Sequence, residues 1–197
     1  MPAAVRARDR RRDATRAEIL TTAWRLAEDN GVAALSLREL ARESGMQPPS
    51  LYTYFPSKAA IYDAMFVQGY RRFADDMEAI PVDRDDVQGS LTTAIERFVA
   101  FCQASPARYQ LLFTRAVPDW APSEEAYAVS LAQYARASER LAEVGISDQD
   151  DRDLWIAVLS GLAAQQLAND PSGDRWRRLA GGAAAMFTAY VQGRETR

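Results

Sequence analysis

The stretch Leu35-Ser36-Leu37-Arg38-Glu39-Leu40-Ala41-Arg42-Glu43-Ser44-Gly45-Met46-Gln47-Pro48-Pro49-Ser50-Leu51-Tyr52-Thr53-Tyr54-Phe55-Pro56-Ser57-Lys58 decides the fold. Ser36 followed three residues later by Glu39 marks a helix start, and Leu37, Leu40 and Ala41 recur at helical spacing. Ser44-Gly45 ends that helix at a glycine that permits a sharp turn. Pro48-Pro49 opens a short helix from Pro49 to Tyr54, because first-turn N–H groups lack helical partners and proline loses little there. Pro56-Ser57 breaks the chain, and Ser57 caps a longer helix from Lys58 to about Ala79. Two short helices across a glycine turn follow the helix-turn-helix plan. Leu37, Leu40, Met46 and Leu51 form its apolar hinge, while Ser50, Tyr52, Thr53 and Tyr54 lie on or near the outward side. Such a helix fits the major groove of duplex DNA.

Working outward, a helix over Thr15–Asn30 precedes this unit, with Thr15 and Glu18 as a capping box and Gly31 as its stop. Ile19, Leu20, Ala23, Leu26 and Ala27 form its buried stripe. Residues 1–12 carry Arg6, Arg8, Arg10, Arg11 and Arg12 without apolar periodicity and are expected to be a disordered basic arm. Downstream, Pro81-Val82-Asp83 separates further helices at Asp85–Ala104, Pro106–Thr114, Ser123–Glu143, Ser147–Asn169 and Asp174–Gln192. Ser105, Ser123 and the pair Ser147 and Asp150 supply the expected caps. The fold class is therefore all-α with about nine helices: a three-helix DNA-binding domain over 13–58 and a helical bundle over 59–197.

Composition excludes several classes. At 48% apolar and 26% charged residues, the chain is an ordinary globular sequence. It has no apolar run of about 18 residues, so no membrane span is expected. No apolar stretch of roughly 7–15 residues follows the basic start, so no secretory signal is expected. Cys102 is the single cysteine, which fits a reducing cytoplasm. Histidine is absent, which removes histidine-dependent triads and metal sites; no metal and no cofactor are expected. No glycine-rich phosphate loop stands out, and Asp75-Asp76 and Asp85-Asp86 read as solvated helix ends, so an enzyme has little support. Net charge is −3, but unevenly spread. Residues 1–58 hold 10 Lys/Arg against 7 Asp/Glu, hence +3, and the remainder holds 14 against 20, hence −6. A basic end on an acidic body suits a polyanionic partner.

The series Ile19-Leu20, Ala23, Leu26-Ala27, Gly31, Leu35-Ser36-Leu37-Arg38, Leu40-Ala41, Gly45-Met46 and Leu51-Tyr52-Thr53-Tyr54-Phe55-Pro56-Ser57-Lys58 resembles the N-terminal domain of the TetR family of transcriptional regulators. The segment Leu-Tyr-x-Tyr-Phe-x-x-Lys is its most typical part. The resemblance implies a DNA-facing set of Ser36, Arg38, Gln47, Pro49, Ser50, Tyr52, Thr53, Tyr54 and Lys58. Arg38 would reach a base edge or a phosphate, Ser36, Tyr52 and Tyr54 phosphates, Ser50 and Thr53 bases or methyls, and Lys58 the backbone. The arginine arm would add phosphate or minor-groove contacts. Pro48 departs from the pattern, standing where many members carry a polar base-reading residue; Gln47 takes part of that role.

For 59–197 the resemblance implies a ligand-sensing and dimerisation domain. Ser105–Phe113, with Trp155 and Gly161, is similar to one C-terminal subgroup of the family. Phe66, Phe98, Phe101, Phe113, Trp120, Tyr127, Tyr134 and Trp155 form the candidate ligand pocket, although aromatic residues at helical spacing also read as plain core. Leu154, Val158, Gly161, Leu162, Gln165, Gly182, Met186 and Tyr190 form the candidate dimer face, although the small residues among them also suit packing within one chain. The implied partners are double-stranded DNA with a palindromic operator, a small apolar or aromatic effector and a second copy of the chain, with no membrane. The implied function is a cytoplasmic repressor released by its effector. An activator of the same fold, a helical enzyme and a helical adaptor are the alternatives.

Overall fold

A computed structural model describes the backbone of residues 3–195 and the side chains of residues 8–194. Among the described residues there are nine α-helices and no strand: α1 (Ala3–Asn30), α2 (Leu37–Glu43), α3 (Pro48–Tyr52), α4 (Lys58–Glu78), α5 (Val87–Ala104), α6 (Pro106–Phe113), α7 (Glu124–Glu143), α8 (Gln149–Asn169) and α9 (Ala180–Glu195). Three of the expected caps are in place. The hydroxyls of Ser36, Ser57 and Ser123 accept from the amides of Glu39, Ala60 and Ala126. Aspartates, however, cap α5 and α8: Asp86 accepts from Gly89, and Asp148, rather than Ser147, accepts from Asp150 and Asp151. A carboxylate at a helix start also complements the helix dipole.

The start of α1 differs most from expectation. The segment read as a disordered arm is helical from Ala3, so Thr15 is no cap; its hydroxyl donates back to the Arg11 carbonyl. Alanine and arginine both favour helix, and a solvated helix needs no apolar stripe. The side chain of Arg6 lies outside the described residues.

The chain divides into two compact units, and the division is not at residue 58. Unit one takes residues up to Gly69 together with Ala107–Tyr127; unit two takes Tyr70–Pro106 and Ala128 onward. The reason for the later boundary is that Ile61, Tyr62 and Met65 of α4 join the core built on the α1 stripe, along with Leu40, Leu51, Phe55 and Leu111. The phenol of Tyr62 is buried there and donates to the Val32 carbonyl at 2.8 Å. Burial pushes its pKa up, which keeps it a protonated donor.

In unit two, α5 packs on α8 and α9. Ile95, Phe98, Val99 and Cys102 of α5 are buried, as are Trp155, Ala163, Ala184 and Phe187 of α8 and α9. Gln166, fully buried, staples the connection between α8 and α9. Its carbonyl oxygen accepts from the amides of Trp176 (2.8 Å) and Arg177 (3.0 Å), and its amide donates to the carbonyls of Asp170 and Gly173. These bonds hold residues 170–177 as a loop, so α9 starts at Ala180 and not at Asp174.

Tyr62→Phe is expected to lower stability by about 1 kcal/mol, since it orphans one carbonyl. Gln166→Leu, which strands the Trp176 and Arg177 amides and the Asp170 carbonyl while Gly173 keeps its bond from Gln103, is expected to cost roughly 3 kcal/mol. Urea unfolding midpoints of the two variants check the order.

Candidate nucleic-acid interface

The turn between α2 and α3 is set by Gly45 at φ +67°, a left-handed backbone that favours glycine. The Met46 amide donates to the Ala41 carbonyl at 2.8 Å across it. Pro48 and Pro49 then occupy the first two positions of α3, one residue earlier than the sequence suggests. Leu51 and Phe55 are buried, so the opposite side faces solvent: Gln47, Pro48, Pro49, Ser50, Tyr52 and Thr53 are all exposed.

An open groove of about 840 Å³ separates the starts of α2 and α3. Ser36, Arg38, Arg42, Met46, Gln47 and Pro48 are among its walls. Ser36 is half-buried, and its oxygen is used by the Glu39 amide, which leaves its O–H free to donate outward. Arg38 is exposed and pairs with no carboxylate among the described residues. Arg42, by contrast, is held by Glu43 at 2.7 Å and Glu39 at 3.7 Å. The free guanidinium in the groove is therefore that of Arg38.

Two residues outside the expected set bear on the site. Arg12 donates to the Thr53 carbonyl at 2.8 Å and lies 5.8 Å from the Tyr54 ring centre. Arg16 donates to the Tyr54 carbonyl and stacks 4.2 Å from the Phe55 ring centre. Both cations satisfy carbonyls left without helical partners at the end of α3. Their four-residue spacing was the available signal, but residues 1–12 read as a disordered arm carry no helical spacing. The same helix carries exposed Arg8, Arg10 and Arg11.

Lys58 is half-buried: its ammonium donates to the Ala33 carbonyl at 3.4 Å and lies 5.4 Å from the Tyr62 ring centre. Tyr54 is half-buried as well, whereas Tyr52 is 49% exposed. The hydroxyl of Thr53 donates to the Ser50 carbonyl at 2.7 Å, so its hydrogen is already spent.

The family described as bacterial regulatory proteins, tetR family, matches residues 19–65, from the buried stripe of α1 through the helix-turn-helix into α4. Residues 19–65 form a TetR-family DNA-binding domain. The chain is a DNA-binding transcriptional regulator and not an enzyme. It is 29% identical over 170 residues to the HTH-type transcriptional regulator Rv1816 of Mycobacterium tuberculosis, covering 82% of this chain and 69% of that one. Among solved structures it is similar to the regulatory protein SCO4313 (TM-score 0.72, 23% identity, 91% and 97% of the two chains). It is also similar to the transcriptional regulator FadR from Bacillus subtilis in complex with stearoyl-CoA (TM-score 0.63, 15% identity, 86% and 96%).

The expected pocket residues are shared between the two units. Phe66, Phe113, Trp120 and Tyr127 belong to unit one, where Trp120 sits against Tyr62 and Phe66 and donates to Asp63 at 3.3 Å. Phe98, Phe101, Tyr134 and Trp155 belong to unit two. There Phe98 and Phe101 flank Phe73, Trp155 packs on Phe187, and Tyr134 is exposed with its hydroxyl accepting from Gln149. The sequence pattern groups aromatics by chemistry and cannot tell which helices meet. No described helix is long and apolar enough to cross a membrane.

Replacing Arg12 and Arg16 together by alanine is expected to speed hydrogen exchange at the amides of Tyr54 and Phe55 and to weaken DNA binding about tenfold, with overall helix content retained. Exchange mass spectrometry and fluorescence anisotropy check both effects.

Proposed function

We propose that this chain is a repressor that binds a palindromic operator as a homodimer and leaves it when a small apolar or aromatic effector binds. The observation that carries the DNA half is the exposed face of α3 beside an unpaired Arg38 at the rim of an open groove. Gln47, Ser50 and Tyr52 supply donors and acceptors for bases and phosphates, and Arg38 suits guanine or a phosphate. Ser36 donates to phosphate from the start of α2. Thr53 contributes its methyl, Tyr54 and Lys58 contribute from the edge of the face, and Arg8, Arg10 and Arg11 add long-range attraction.

Dimerisation is supported by the surface of α8 and α9. Met186 is 64% exposed, Tyr190 44% and Leu154 38%. A Cβ built on Gly161 or Gly182 would meet nothing within 4 Å, so both backbones are open to close approach. Ala163 and Ala184 are instead buried within unit two, so the small residues serve both purposes. With Val158, Leu162 and Gln165 beside them, these side chains form an apolar stripe of the kind a two-fold interface covers. A dimer sets two α3 helices about 34–36 Å apart, one turn of duplex.

The effector reading rests on the aromatic residues of the helices beyond α3 and on the acyl ligand named for the Bacillus subtilis FadR structure. A hundredfold loss of operator occupancy requires about 2.7 kcal/mol of coupling between the two sites.

Footprinting on DNA upstream of the chain's own gene is the direct test, and a protected stretch with two-fold symmetry is expected. Arg38→Ala should weaken that complex roughly tenfold to a hundredfold, matching about 1–3 kcal/mol for one good base contact. Met186→Asp with Tyr190→Asp should yield monomers in sedimentation and lose the footprint. No protection by the parent protein, or a parent that sediments as a monomer, overturns the reading.

A further inference from the structure

We propose that the first turn of α3 reads thymine through its methyl group, with the rings of Pro48 and Pro49 as the reading surface. The inference rests on the DNA-binding reading above and names what that face selects.

The backbone of the first turn of α3 has almost no donor capacity left, and its side-chain donors are confined to Gln47 and Ser50. Pro48 and Pro49 carry no N–H, and the amides of Ser50 and Leu51 both donate to the Gln47 carbonyl, at 2.9 and 3.4 Å. From Pro48 to Leu51 the helix therefore offers no free backbone donor to a phosphate or a base. Both rings are nevertheless exposed, and Pro48 forms part of the groove wall alongside Arg38 and Met46. An apolar, solvent-facing surface at the tip of a helix meant for the major groove has one matching partner there. The 5-methyl group of thymine is the only apolar feature that the four base pairs display. Proline suits the task because its ring is fixed in place and loses no side-chain entropy on contact. Purine edges and the cytosine amino group would instead lose their water against the rings without gaining a partner, which penalises them.

The test uses the full chain. Operator duplexes are selected from a random pool, and each thymine is then replaced singly by deoxyuridine, which removes only the methyl. At one or two thymines per half-site the affinity should fall about fourfold, the worth of one buried methyl-sized group, and about fifteenfold with both half-sites changed. A cytosine at such a position should bind poorly, and 5-methylcytosine should recover part of the loss. Pro48→Ala or Pro49→Ala should abolish the deoxyuridine effect at one thymine and leave binding elsewhere in the site unchanged, with circular dichroism confirming the fold. A tightly bound operator indifferent to deoxyuridine overturns the proposal, as does a methyl effect that survives both alanine variants. Failure to select any duplex overturns the DNA-binding reading itself.

Discussion

α3 has five residues, and its position depends on anchors outside itself. A helix that short does not persist in water on its own propensity. Leu51 and Phe55 sink one side into the unit-one core, Gly45 sets the entry turn, and Arg12 and Arg16 hold the carbonyls at the exit. With both ends and one face taken, the remaining face can be presented to solvent at little further cost. The exposed surface of α3 thus consists of the side chains this anchoring leaves unused.

The same anchoring explains the chemistry of that surface. Hydroxyls and amides close to the anchors are consumed locally: Thr53 by Ser50, and the first-turn amides by Gln47. Arg42 is neutralised by two glutamates, while Arg38 is not. Charge at the site is consequently concentrated in one guanidinium at the groove and in the arginines along α1. The chain's small overall negative charge is no guide to the local field where DNA would lie.

Unit two solves a different problem. Its helices bury a core through α5, and a single glutamine secures the loop that carries the chain from α8 to α9. Burying Gln166 is affordable because all of its amide capacity is used. The packing covers Ala163 and Ala184 and leaves Leu154, Met186 and Tyr190 uncovered. Small residues alone do not tell which of them are buried inside the chain; the packing of α8 and α9 does.

By itself the sequence determined the helical class, the helix-turn-helix and its turn glycine, because 3.6-residue periodicity, caps and proline breaks act over a few residues. It also identified most of the outward face of α3, since burying Leu51 and Phe55 dictates which neighbours point away. Tertiary structure alone decided that residues 3–14 continue α1, that the first core reaches Gly69 and takes in α6, and that the aromatic residues divide between two units. Each of those depends on contacts between segments far apart along the chain, such as Arg12 with Thr53 or Met65 with the α1 stripe, and local spacing carries no record of such partners.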